Sequence, residues 1–125
     1  MKMKKSGFIL LLVLWFTAAG ALLSQTLVPR PEPPRLVNDL AGILSSDEAQ
    51  ALENKLVAFN DSTSNQIAVL IVNDLQGYDR SEFAYRVARD WGVGQGDFNN
   101  GVLILVKPKT ASSDGRVFIA TGYGL

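Results

Sequence analysis

Oxygen-bearing side chains crowd one glycine-rich stretch of this 125-residue chain. From Trp91 to Val106 it reads WGVGQGDFNNGVLILV, with Asp97, Asn99 and Asn100 set among Gly92, Gly94, Gly96 and Gly101. Such a composition serves a phosphate cradle, a cation loop or a plain turn. A dinucleotide cradle needs Gly-x-Gly-x-x-Gly after a strand and before a helix, so that the helix N-terminus meets the pyrophosphate. Here position 97 is Asp, and the glycines are expected to follow a helix and precede a strand. No Lys-Ser/Thr follows for a P-loop either, so nucleotide binding is not expected. An EF-hand wants oxygens at positions 1, 3 and 5, Gly at 6 and Glu at 12. Counted from Asp97, Gly101 falls at the fifth position and Pro108 at the twelfth, and the motif fails. What survives is a looser site, with this loop giving one or two oxygens and another segment giving carboxylates. Beside it stands the structural alternative, in which Gly92 stops a helix in the left-handed region and Asn99-Asn100-Gly101 turns into a strand.

A second polar cluster, Val37-Asn38-Asp39 with Ala41-Gly42, lies in an apolar setting. Asn38 or Asp39 can make an Asx-turn ahead of a helix. Asp39 can equally be a cleft carboxylate for a hard cation, and spacing leaves both open. Other chemistries are excluded by composition. With no histidine and no cysteine, Ser-His-Asp and Cys-His nucleophiles, histidine-based zinc sites and disulfides are all unavailable. Neither a Gly-x-Ser-x-Gly elbow nor an Asp-x-Asp pair occurs.

The elements that must position these residues follow from periodicity. Ser45 with Glu48 forms a capping box, and Ala49, Leu52, Leu56 and Phe59 recur on one helical face until Asn60–Asn65, read as a loop. QIAVLIVN (66–73) is a strand apolar on both faces. Asp79 and Glu82 open a second helix whose face is Phe83, Val87 and Trp91, with Ala84 and Ala88 alongside. GVLILV (101–106) and RVFIAT (116–121) are further strands. Strand–helix–strand implies a right-handed parallel crossover, and the last strand pairs antiparallel as a hairpin. The expected class is α/β, a three-layer α/β/α sandwich with a mixed central sheet, incomplete at the C-terminus. Two helices leave apolar sheet surface open.

The first residues read differently. Lys2, Lys4 and Lys5 precede the apolar run 7–23, and Ala19-Gly20-Ala21 supplies a small-x-small cleavage pattern. That is a secretory signal peptide over 1–21, the alternative being a retained N-terminal membrane anchor. Both export the remainder, placing it outside the cytoplasm, periplasmic or secreted. Residues 22–35 form a proline-rich linker, and the domain runs over 36–125. Losing residues 1–21 removes three of the 12 basic residues and none of the 12 acidic ones, leaving 9 against 12. That mild acidity argues against nucleic-acid binding.

Several stretches together resemble the TPM domain family of thylakoid, photosystem II-associated and membrane-protein members. They are Leu36 to Ser45, Gln66-Ile67-Ala68-Val69, Trp91-Gly92-Val93-Gly94, Asn99 to Val106 and Ile119 to Leu125. The resemblance implies an α/β/α sandwich outside the cytoplasm, continuing past Gly-Tyr-Gly-Leu into further helices and carboxylates. It implies calcium binding in an acidic cleft, acid phosphatase activity, or maintenance of photosystem or membrane proteins. Asp39, Asp97, Asn99 and Asn100 are the positions that carry over, as ligands of a divalent cation, with Asp39 as the principal carboxylate. The expected function is an accessory module for envelope or membrane proteins that binds Ca2+. Metal-assisted phosphomonoester hydrolysis and ion-independent protein interaction are the alternatives. Membrane contact is expected only through an uncleaved signal or a C-terminal anchor.

Overall fold

The computed structural model describes residues 26–94 and 98–125; Asp97 and the apolar run 7–23 lie outside them. The chain order is β1 (Val37–Asp39), α1 (Ser46–Thr63), β2 (Gln66–Ile71), α2 (Arg80–Trp91), β3 (Gly101–Lys107) and β4 (Arg116–Thr121). In space the strands run β1-β2-β3-β4, the first three parallel and β4 antiparallel to β3. The mixed sheet and hairpin match expectation. Strand β1 was not foreseen, because three residues are too few to show an alternation.

Alternate residues of each strand feed opposite faces. Ala68, Leu70, Leu103, Leu105 and Ala120 pack under α2 with Phe83, Ala84, Val87, Ala88 and Trp91. Val37, Val69 and Ile71 pack under α1 with Leu56. The result is three layers, α1, sheet and α2. Both crossovers step the same way across the sheet with their helices on opposite faces, so they have opposite hands. One of the two therefore has the rarer left hand.

Helix α1 begins as expected: Ser45 accepts from the Glu48 amide, and the Glu48 carboxylate accepts from the Ser45 amide. It ends later than expected. The Ser62 and Thr63 hydroxyls both donate back to the Phe59 carbonyl, and Ser64 closes the helix at φ 62°. Polar residues thus extend the helix into the stretch read as a loop. Phe59, placed on the buried face by periodicity, is 39% exposed, because the core beneath α1 ends near Leu56. Helix α2 follows expectation at both ends, with Asp79 as N-cap and Gly92 as left-handed stop at φ 62°.

Among the described residues, no helix covers one quadrant of the sheet. On the α1 side of β3–β4, Ile104 faces Ile119 and Val106 faces Val117 across the antiparallel ladder. Val117 and Ile119 are more than half exposed, while α1 reaches only β1 and β2. On the α2 side the matching quadrant over β2 is filled by the proline-rich lead: Val28 is buried, and Leu27 and Leu36 pack against the same cluster. The Trp91 indole N–H donates to the Val28 carbonyl at 2.8 Å and fixes that lead in place.

Candidate functional site

Three glycine-bearing segments converge at one end of the sheet. They are Val93-Gly94 after α2, Phe98 to Gly101 before β3, and Gly122 to Gly124 after β4. Backbone hydrogen bonds knit them: Gly122 N–H to the Gly101 carbonyl, Gly124 N–H to the Asn99 carbonyl and Gln66 N–H to the Asn100 carbonyl. The Gln66 side-chain carbonyl accepts from Gly94 at 2.8 Å, tying β2 to the same cluster. The glycines are required by contact. A Cβ on Gly101 would sit 2.2 Å from the Val93 carbonyl oxygen, and one on Gly122 2.4 Å from the Phe98 and Asn99 carbonyls. Gly94 adds a backbone at φ +89°, which side-chain-bearing residues rarely adopt. The glycines therefore let three backbones touch.

This packing shapes a cleft of about 230 Å³ lined by Tyr85, Arg89, Phe98, Thr121 and Tyr123. Tyr85 packs edge-on against Phe98 and Phe118, with ring centroids 6.3 and 5.7 Å away. Phe98 is buried and held at φ 56°, a costly backbone for a bulky residue. Arg89 and Tyr123 are exposed at the mouth. Tyr85 and Arg89, four residues apart on α2, were missed in the sequence. They flank the apolar stripe, and only the fold shows that Phe98 and Tyr123 meet them.

The candidate cation ligands do not gather here. Asn99 and Asn100 belong to this end, and the Asn100 amide donates to the Ser64 carbonyl. Asp39 is at the other. It aligns through Ile71 with Val106, five residues along β3 from Gly101, about 17 Å at the usual strand rise. The expectation that Asn99 and Asn100 wall a cleft beside Asp39 is therefore corrected, Asp97 lying outside the described residues: parallel pairing sends the end of β1 and the start of β3 to opposite ends of the sheet.

At its own end Asp39 organises a loop. One carboxylate oxygen accepts from the Gly42 amide at 2.8 Å and the other from the Leu44 amide at 2.7 Å. Slight burial acts to raise its pKa, but the amides of Leu44, Ile43, Gly42 and Ala41 outweigh it and hold the carboxyl below its ordinary value. Neighbouring Asn38 is buried, its amide donating to the Arg35 and Val69 carbonyls. The start of β1 is closed from α1, where the Glu53 carboxylate accepts from the Leu36 and Val37 amides.

The end of the sheet that carries Asp39 also holds a buried cation. Lys107, at the close of β3, donates to the Ser113 hydroxyl at 2.6 Å and to the Asp114 carbonyl at 2.9 Å. Those bonds spend its donors on the hairpin loop, so Lys107 reads as a structural pin. Among the described residues no group of three or more His, Cys, Asp or Glu side chains could hold a metal ion.

The fold and its glycine-built end define an α/β domain of the three-layer kind. The TPM domain model matches residues 37–125, and the chain belongs to that family. It is also similar to the solution NMR structure of the N-terminal domain of a protein from P. gingivalis, with 33% identity and a TM-score of 0.62. The match covers 72% of this chain and 55% of that one, so the present chain spans little more than half of that structure. No curated protein matches this chain.

Proposed function

We propose that this TPM domain is an exported accessory module that docks onto an envelope or membrane protein through the glycine-built end of its sheet. The observation that carries the reading is the cleft of Tyr85, Arg89, Phe98, Thr121 and Tyr123 on a platform of three segments joined by backbone hydrogen bonds. Tyrosine and arginine dominate interaction hot spots because each offers a large contact area with a polar or charged tip. A platform closed by backbone hydrogen bonds also loses little entropy when a partner binds.

The calcium reading fares less well with these residues. Calcium takes six to eight oxygens, with carboxylates among them. Each Asp39 oxygen already accepts a backbone amide, and Asn99 and Asn100 sit at the far end. The described residues do not fit the ion by themselves, and a cation site requires carboxylates from elsewhere. Metal-assisted phosphomonoester hydrolysis has the same requirement.

Charge reversal tests the docking reading. The exposed Arg89→Glu change should abolish recovery of the partner with the tagged full chain from detergent-solubilised envelopes, while circular dichroism stays unchanged. Undiminished recovery of the same partner would overturn the assignment of this end.

A further inference from the structure

The chain enters the fold at one particular end of the sheet, and that end carries two bare aliphatic side chains. The Leu27 carbonyl accepts from the Gln76 side-chain amide at 2.8 Å, and Gln76 lies past the C-terminal residue of β2. From there the lead runs back along the sheet to the start of β1, so Thr26 emerges at the C-terminal ends of the parallel strands. The loop after β1 sits at this same end. Its Ala41 and Leu44 turn inward against the α1-side core, whereas Leu40 and Ile43 are 63% and 53% exposed. The two bonds from Asp39 hold the loop in that arrangement, so the outward pair is presented by a fixed backbone.

The length of chain ahead of the fold says what this pair meets. Three residues, 24–26, separate the apolar run 7–23 from Leu27. Even fully extended, that connection reaches only about 14 Å. With the run retained in a bilayer, the domain has no freedom to stand away from the surface, and the end it turns toward the lipid is the one bearing Leu40 and Ile43.

We propose that the C-terminal end of the parallel strands rests on the lipid bilayer, with Leu40 and Ile43 entering the interfacial layer. The proposal rests on the retained-anchor reading of residues 7–23. It concerns the opposite end of the sheet from the docking cleft, so the cleft faces away from the lipid, and either assignment can fail without the other. At this end the acidic Asp39, Asp47, Glu48, Asp74, Asp79 and Asp114 outnumber the basic Arg80, Lys107, Lys109 and Arg116, so anionic headgroups are not attracted to it. The contact is therefore apolar, and neutral lipid suffices whatever the salt.

The absence of cysteine makes a clean test possible. The full chain, bearing Leu40→Cys, Ile43→Cys or, as a control on α1, Val57→Cys, is labelled with an environment-sensitive fluorophore. It is then reconstituted into neutral phosphatidylcholine vesicles. Expected are co-sedimentation with the vesicles, and a blue shift with quenching by nitroxide lipids at positions 40 and 43 but not 57. Co-sedimentation with unshifted emission at 40 and 43 would overturn the surface contact. Failure to co-sediment would overturn the proposal at its anchor.

Discussion

The Trp91 indole N–H meets the Val28 carbonyl at 2.8 Å across 63 positions of sequence, and both residues are buried. This bond makes the proline-rich lead part of the fold. Trp91→Phe keeps an aromatic ring but leaves that carbonyl without its donor, at a cost of about 1–3 kcal/mol. Val28→Ala removes two buried methyl groups at about 0.8 kcal/mol each. Urea denaturation followed by circular dichroism measures both. No loss of stability in either variant would mean that the lead is not docked in solution.

Gly101 and Gly115 make a matched pair for the glycine contacts. A Cβ at Gly101 meets the Val93 carbonyl oxygen at 2.2 Å, whereas one at Gly115 finds nothing nearer than 3.5 Å. Gly101→Ala should cost about 2–3 kcal/mol through forced backbone displacement. Gly115→Ala should stay within about 0.5 kcal/mol of wild type. Thermal denaturation of the two variants side by side checks the contrast.

The two faces of the β3–β4 hairpin should respond unequally to mutation. Leu105 is fully buried beneath α2, while Ile119 is 56% exposed on the other face. Leu105→Ala is expected to lose about 2–5 kcal/mol, and Ile119→Thr to remain within about 0.5 kcal/mol. Comparable losses at the two positions would show that the bare quadrant is covered.

Asp39 predicts a pH dependence of definite sign. Its folded-state pKa lies below the ordinary 3.8 because the Leu44, Ile43, Gly42 and Ala41 amides overcome its slight burial. The folded state therefore binds this proton less readily than the unfolded chain. Its contribution is full above about pH 5 and is lost as pH falls through the depressed folded value. Asp39→Ala should cost about 1 kcal/mol near neutral pH, as for other carboxylates that cap backbone amides. Denaturation curves of wild type and variant should converge only at pH below the depressed folded value, which itself lies under the ordinary 3.8.

Much of this fold was legible because its signals are local. The Ser45–Glu48 box, the Asp79 cap, the Gly92 stop and the Phe83–Val87–Trp91 stripe each depend on residues within one or two turns. What escaped depends on distance. Strand β1 exists because it pairs with β2, and the buried place of Val28 exists because Trp91 reaches it. The separation of Asp39 from Asn99 and Asn100 is likewise a consequence of parallel register. Composition identified all three as oxygen donors, but only strand order shows that they face different ends. The cleft was hidden for the same reason, since Tyr85, Phe98 and Tyr123 come from three separate segments.

Site-specific photo-crosslinking tests the docking end most directly. A photoreactive amino acid replaces Tyr123 at the cleft mouth or Val57 on the outer side of α1, and full-length protein is irradiated in the cells that make it. A discrete adduct with one envelope or membrane protein is expected from position 123, absent from position 57 and lost when Arg89→Glu is added. Equal adducts from both positions, or an adduct at 123 indifferent to Arg89→Glu, would contradict the assignment of this end as the docking surface.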